Sequence, residues 1–214
     1  MTDDTGLHQG YYDEQTRREK WGDKYDTYAE KFSAAVNAVY GQILTYEDKP
    51  ITAAYFALCA GRTESAKNIW GGDVPYLVSV TSTGDRLSPD LQTETVLSAE
   101  EVRTALAADT EMVLGENPAE WITDLQVSDT ESGVVTAVCV GGKTVTGQTL
   151  RALLGLRSPA FTVLFSDGSF HFTVSGSGHF VGMSQYGADY MARQGADYKE
   201  ILAHYYPGTA LETV

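Results

Sequence analysis

The sequence predicts an α+β fold, a mainly antiparallel sheet with flanking short helices and a helix-and-strand insertion over residues 82–158. Three observations carry this. Apolar β-forming runs recur between turn signals, as in Phe161 to Phe165 and Phe170 to Val174 around Ser166-Asp167-Gly168-Ser169. Stretches with helical spacing are short and stop at glycine, as at Gly41 and Gly195. Between two β segments the chain changes character, opening a helix on the capping-box pattern Ser98…Glu101.

Taken in order, residues 1–27 are polar and aromatic and read as an irregular, partly ordered lead-in. Tyr25 to Tyr40 places Tyr28, Phe32, Ala35, Val36 and Val39 at helical spacing and predicts a helix with one buried face. Gln42 to Tyr46 and Ile51 to Cys59 predict a hairpin about the polar turn Glu47-Asp48-Lys49, and Pro75 to Thr81 predicts a further strand. The helix from Ser98 runs to about residue 108. Strands follow at Ile122 to Ser128, Val134 to Val140 and Thr144 to Thr146, then a short helix at Thr149 to Leu154. Past the Phe161–Val174 hairpin comes a Gly-rich stretch. Two helices close the chain, about Tyr186 to Gln194 and Tyr198 to Tyr205, the last ending before Pro207.

Composition narrows the function. Hydrophobic residues make up 43% and charged residues 21% of 214, which is globular rather than disordered. A formal net charge of −14 repels phosphates and argues against a nucleic-acid role and against anionic lipid surfaces. The chain has no apolar run of about 18 residues, so it carries no membrane span, and no basic-then-apolar leader is present in it. Only Cys59 and Cys139 occur, in apolar surroundings. They read as buried thiols, since the spacing of a metal pair is missing.

Two segments could carry chemistry. In Ser175 to Ala188, glycines at 176, 178, 182 and 187 surround His179, Ser184, Gln185 and Tyr186. Such glycines let backbone approach a ligand, and the polar residues among them could hydrogen-bond sugar hydroxyls and acetamido groups. The same pattern also fits a tight loop with a satisfied histidine. In Ala60-Gly61-Arg62-Thr63-Glu64, Arg62 could hold a carboxylate and Glu64 could act as acid or base, or the two could pair on an exposed loop. Ser184 and His179 offer a nucleophile and a base, with no third residue evident to orient the histidine.

Five segments together resemble the SpoIID/LytB family. They are Val39 to Tyr46 with Pro50 to Phe56; Ala60 to Glu64 with Ile69-Trp70-Gly71 and Pro75 to Val80; Val145 to Ser158; Gly178 to Ala188; and Lys199 to Thr209. The resemblance implies a lytic transglycosylase that cuts peptidoglycan glycan strands stripped of stem peptides. One glutamic acid protonates the glycosidic oxygen and then takes the proton of the muramic C6 hydroxyl, leaving a 1,6-anhydro end. It implies an extracytoplasmic setting, in sporulation and engulfment or in wall turnover, with peptidoglycan glycan strands and wall-remodelling proteins as partners. Arg62, Thr63, His179, Ser184, Gln185 and Tyr186 are expected to line a substrate cleft.

The family's catalytic glutamate lies on a stretch that does not appear here. Residues 1–214 are expected to be a SpoIID-like domain without that segment, and the catalytic residue stays unassigned. Whether the chain is part of an enzyme or a non-catalytic glycan-binding module stays open. Some members bind zinc near this point, and His8 is the candidate ligand; otherwise no cofactor is expected. Phe180 stands where the family has glycine, and Cys59-Ala60 where it has Ser-Gly. A bulky Phe180 is expected to narrow the cleft or stack on a sugar.

Overall fold

The computed structural model describes residues 11–107 and 109–213. The chain divides into two compact units, residues 1–43 with 212–214, and residues 44–211.

In the first unit, α1 (Glu14–Trp21) and α2 (Tyr25–Ala38) flank the 3-10 turn Gly22–Lys24. Helix α1 stands where the sequence predicts part of an irregular lead-in, and residues 1–10 of that stretch lie outside the described residues. Asp13 caps it by accepting from the Thr16 amide at 2.8 Å, and Arg18 pairs with Glu14 at 2.8 Å. A helix held by a cap and i,i+4 pairs has no apolar stripe to betray it. Helix α2 forms where expected, but none of its residues is buried. Phe32 stacks on Trp21 with centroids 5.7 Å apart and stays exposed, as does Val36. The predicted buried face is an exposed stripe.

A hairpin follows. In β1 (Gln42–Tyr46) and β2 (Lys49–Pro50), Thr45 faces Pro50 and Tyr46 faces Lys49. Glu47 and Asp48 both take positive φ, the backbone of a two-residue hairpin turn. Of the expected strand over Ile51 to Cys59, only β3 (Tyr55–Phe56) forms. Helix α3 (Ala66–Trp70) follows, capped by Ser65. The segment Pro75 to Thr81 is not a strand. Its backbone pairs piecemeal instead: Thr63 N–H donates to the Val80 carbonyl, Ala66 N–H to that of Leu77, and the Val80 amide donates to Thr63 Oγ1. A side-chain acceptor standing in for a backbone one breaks the ladder.

Next come β4 (Gln92–Ser98), α4 (Ala99–Leu106), β5 (Ile122–Val127), β6 (Val135–Val140), β7 (Lys143–Val145), α5 (Gly147–Leu154), β8 (Phe161–Ser166) and β9 (Ser169–Ser175). Both halves of the expected capping box form. The Glu101 amide donates to Ser98 Oγ at 3.2 Å, and the Ser98 amide donates to the Glu101 carboxylate at 2.8 Å. Two antiparallel sheets result, β5-β6-β7 and β4-β9-β8. Strand β9 pairs with β8 from Ser169–Ser166 to Val174–Phe161, and with β4 from Ser169–Ser98 to Ser175–Gln92. Its alternation is that of a half-buried strand: Phe170, Phe172 and Val174 point into a core shared with Val102, Leu106, Trp121, Val138 and Leu150. Burying each such side chain contributes about 1.5–3 kcal/mol.

A second core gathers Phe56, Cys59, Ile69, Leu77, Phe180, Val181, Tyr205 and Tyr206. It underlies β10 (Met183–Ser184), α6 (Gln185–Arg193) and α7 (Tyr198–Tyr205). Strand β10 runs parallel to β3, with Met183 opposite Tyr55 and Ser184 opposite Phe56. The chain then forms β11 (Ala210–Thr213). Among the described residues no helix is long and apolar enough to cross a membrane.

Candidate functional site

The Gly-rich loop lies directly on the backbone of residues 54–64. Leu58 and Ser177 exchange both amide hydrogen bonds, at 3.0 and 2.7 Å. The Glu64 amide donates to the Phe180 carbonyl at 2.8 Å, and the Met183 amide to the Ala54 carbonyl at 3.0 Å. Two of the loop's glycines show how little room is left for a side chain. A Cβ on Gly182, where φ is +78°, would sit 2.0 Å from the Ala54 carbonyl oxygen; one on Gly187 would sit 2.1 Å from both Ser82 Oγ and the Tyr205 hydroxyl.

His179 projects from this loop between two aromatic rings, Trp70 at 5.2 Å and Phe56 at 5.8 Å between centroids. Its Nδ1 accepts from the Val181 amide at 3.1 Å, which leaves the proton of the neutral ring on Nε2. Burial pushes its pKa below the ordinary value, the nearby Arg151 charge pushes the same way, and a hydrogen bond at the Tyr55 backbone opposes them in part. The imidazole is therefore neutral at pH 7. Trp70 is 48% exposed, so its indole offers an open face beside a polar ring. Gln185 and Tyr186 are exposed in the first turn of α6, and the Tyr186 amide is anchored on the Ala57 carbonyl at 3.1 Å.

Two functional candidates escaped the reading of the sequence. Trp70 occurs there only as one residue of a motif; its exposure beside His179 needs the tertiary contact to be seen. Arg151 is likewise one letter of a resemblance, yet its half-buried guanidinium donates to the Leu156 carbonyl at 3.1 Å and to Gln148 at 3.2 Å. Burial lowers its pKa from the ordinary arginine value.

Ser184 and Thr63 are fully buried, and their hydroxyls are engaged in the frame. Ser184 Oγ donates to Asp85 at 2.5 Å and accepts from the Gly187 amide at 3.2 Å as the N-cap of α6. Asp85, also buried, further accepts from the Cys59 amide at 3.0 Å and from the Ser82 hydroxyl, which itself meets the Tyr205 hydroxyl at 2.6 Å. Burial pushes up the pKa of both the Cys59 thiol and the Tyr205 phenol. Ser184 and His179 are not hydrogen-bonded to each other, so no nucleophile–base pair forms.

Glu64 is neither an exposed partner of Arg62 nor a poised acid. It is fully buried. One carboxylate oxygen accepts from the Ser65 amide at 2.7 Å and from Asn68 at 3.0 Å; the other accepts from Thr130 and Ser132, each at 2.7 Å. Burial alone would raise its pKa. The donated hydrogen bonds, led by Ser132 and Thr130, outweigh burial and hold it below the ordinary carboxylate value. Arg62 instead lines an open cavity of about 440 Å³ with Ser79, Asp129, Thr130 and Glu131. Phe180 does not face a cleft: it is fully buried against Phe56 at 5.5 Å, while its backbone holds a left-handed φ of +68°. His8 lies outside the described residues. Among those described, no three His, Cys, Asp or Glu side chains gather as a metal ion would require.

Known proteins share this arrangement of sequence. No family profile matches the chain. It is 37% identical over 208 residues to stage II sporulation protein D of Bacillus amyloliquefaciens, covering 97% of this chain and 58% of that protein. To stage II sporulation protein D of Bacillus subtilis (strain 168) it is 35% identical over 211 residues, 99% of this chain and 60% of that protein. To the amidase enhancer of Bacillus subtilis (strain 168) it is 26% identical over 227 aligned residues, covering 83% of this chain and 32% of that protein. The chain thus spans less than two thirds of the length of the two sporulation proteins. With nearly all of its residues aligned to both at more than a third identity, this chain belongs to the stage II sporulation protein D family.

Proposed function

We propose that this chain is the glycan-holding part of a protein that remodels peptidoglycan during sporulation or wall turnover, outside the cytoplasm. The observation that carries the reading is the alignment of nearly all of this chain, at 37% and 35% identity, with two proteins named stage II sporulation protein D. The relative named amidase enhancer supports a setting among wall enzymes, and wall-remodelling proteins are the expected partners. A neutral His179 beside the open face of Trp70 suits a sugar, whose ring stacks on indole while its hydroxyls bond to imidazole. Gln185 and Tyr186 add exposed donors, and the buried Ser184 holds the turn that presents them.

The reaction proposed for the whole protein is lytic transglycosylation. A carboxylic acid protonates the glycosidic oxygen, the muramic C6 hydroxyl attacks C1, and its proton returns to the carboxylate as the 1,6-anhydro ring closes. Glu64 does not serve as that acid, because four donors hold it as an anion. That observation favours a second reading of this chain on its own, a glycan-binding module without catalysis.

The test is to incubate the purified chain with glycan strands stripped of their peptides, to sediment bound protein, and to search the supernatant for anhydromuramic ends by mass spectrometry. Binding with anhydro products supports the transglycosylase. Binding without products supports the module. Loss of both rejects the glycan reading.

A further inference from the structure

We propose that the cavity formed by Arg62, Asp129 and Glu131 binds the zwitterionic head of an α-amino acid, an ammonium and a carboxylate on one carbon. The inference stands apart from the glycan reading and rests on a different part of the surface.

The three charged side chains line one cavity of about 440 Å³. It is wide open to solvent and lined by polar residues throughout, a place for a small charged head rather than an enclosure for a whole molecule. Arg62 nevertheless makes no ion pair or side-chain hydrogen bond with any described residue, and neither do Asp129 and Glu131. Opposite charges that share a cavity without meeting leave space for a group between them.

The frame holds them apart. Residues Ser128, Thr130 and Ser132 alternate along the chain with Asp129 and Glu131, and the polar set is tied down. Thr130 and Ser132 donate to buried Glu64, Ser128 meets Thr130 at 2.9 Å, and Asn68 donates to Ser128 at 3.3 Å. Asp129 and Glu131 are left exposed, and Glu131 is fixed in the left-handed region at φ +65°. Arg62 stands two residues before Glu64, on backbone bridged to Thr81. The buried carboxylate therefore fixes both walls of the cavity, and a prepared site loses less entropy on binding.

The charge pattern selects the ligand. A lone anion would meet Arg62 and two carboxylates; a lone cation would meet the guanidinium. A zwitterion satisfies both, its carboxylate taken by the Arg62 fork and its ammonium by Asp129 and Glu131. Such a head occurs on free amino acids and at the side-chain end of a diamino diacid within a wall peptide.

The experiment titrates the whole chain by NMR with meso-2,6-diaminopimelate, with pimelate, which lacks the ammonium groups, and with cadaverine, which lacks the carboxylates. Saturable binding of diaminopimelate, at least ~10-fold tighter than either control, is expected. Arg62→Gln and the double variant Asp129→Asn/Glu131→Gln should each weaken it at least ~10-fold with the melting temperature retained, because all three groups are free of structural bonds. A wall tripeptide with the diamino acid's end free or amidated separates the sources. Tight binding of the free-ended form alone identifies the wall peptide, and binding confined to the single amino acid identifies a free metabolite. Absence of saturable diaminopimelate binding, equal binding of pimelate, or variants that bind like the natural chain would overturn the proposal. Glycan sedimentation on the same variants is expected to be retained if Arg62 serves this cavity alone; its fate tests the glycan reading separately.

Discussion

The Ser184 hydroxyl donates to the Asp85 carboxylate at 2.5 Å, although 99 positions of chain separate them. Asp85 also gathers Cys59 and Ser82, so one carboxylate joins the segment before Arg62, the 3-10 turn Thr83–Leu87 and the first turn of α6. Replacing it leaves buried donors without an acceptor. Asp85→Ala is expected to destabilise the chain by about 3 kcal/mol or more, read from urea denaturation. A loss under about 1 kcal/mol would mean that the network does not hold these segments.

Phe180 sets two effects against each other. Its left-handed backbone costs about 1–3 kcal/mol for a residue other than glycine. Its buried ring is worth about 3–5 kcal/mol against truncation. The packing term is the larger, so Phe180→Gly should destabilise the chain despite relieving the backbone. Phe180→Ala, which keeps the strain and loses the ring, should melt lower still. Equal melting of the two variants would show the φ strain to be negligible.

Glu64 links stability to acidity. Its folded pKa is held below the ordinary value, so its contribution is complete above the unfolded pKa of about 4.3 and is lost as pH falls through the folded value. Melting temperature should fall below about pH 4 in the natural chain, and less steeply in Glu64→Gln. At pH 7 the variant should be the less stable, because the amide nitrogen cannot accept the hydrogen bonds offered to the oxygen it replaces. Parallel pH curves for the two proteins would remove Glu64 from this role.

His179 behaves with the opposite chemistry and the same direction. Its pKa is depressed, so its contribution to stability is complete above the unfolded value of about 6.5 and is lost as pH falls from there through the folded value. Glycan retention should accordingly be flat from pH 7 to 8, values at which the ring stays neutral. His179→Ala and Trp70→Ala should each weaken glycan binding by about 10-fold, the loss expected for one stacking or hydrogen-bonding contact. Trp70→Phe should recover part of the loss if stacking is the cause. Unchanged sedimentation of both alanine variants would remove the aromatic platform from binding.

Much of the fold was legible because its signals are local. The capping box at Ser98 and Glu101, the hairpin about Asp167 and Gly168, and helix α7 from Tyr198 to Tyr205 each declare themselves within a few residues. What failed depends on distant partners. Pro75 to Thr81 has the composition of a strand, but Thr63 inserts its own side chain where a neighbouring strand would pair. The stripe of α2 predicts burial that the described structure does not supply. The candidate site divides in the same way. The loop bearing His179 could be read from its glycines, whereas Trp70, and the Thr130 and Ser132 donors that make Glu64 an anion, lie far from their partners in sequence and meet them only in the fold.

The β4–β9 ladder sets an order of events for the nascent chain. Strand β9 meets β8 across a two-residue turn, but β4 is synthesised long before either and finds no partner until β9 has emerged. Local hairpin closure is fast and distant closure slow, so β8–β9 should assemble first and accept β4 afterwards. During that wait β4 is an open edge carrying Val96 and Leu97, the kind of surface on which chains associate with one another. Slower translation of the stretch between them lengthens the exposure, and crowded expression should divert more of this protein into aggregates through that strand than through any helix.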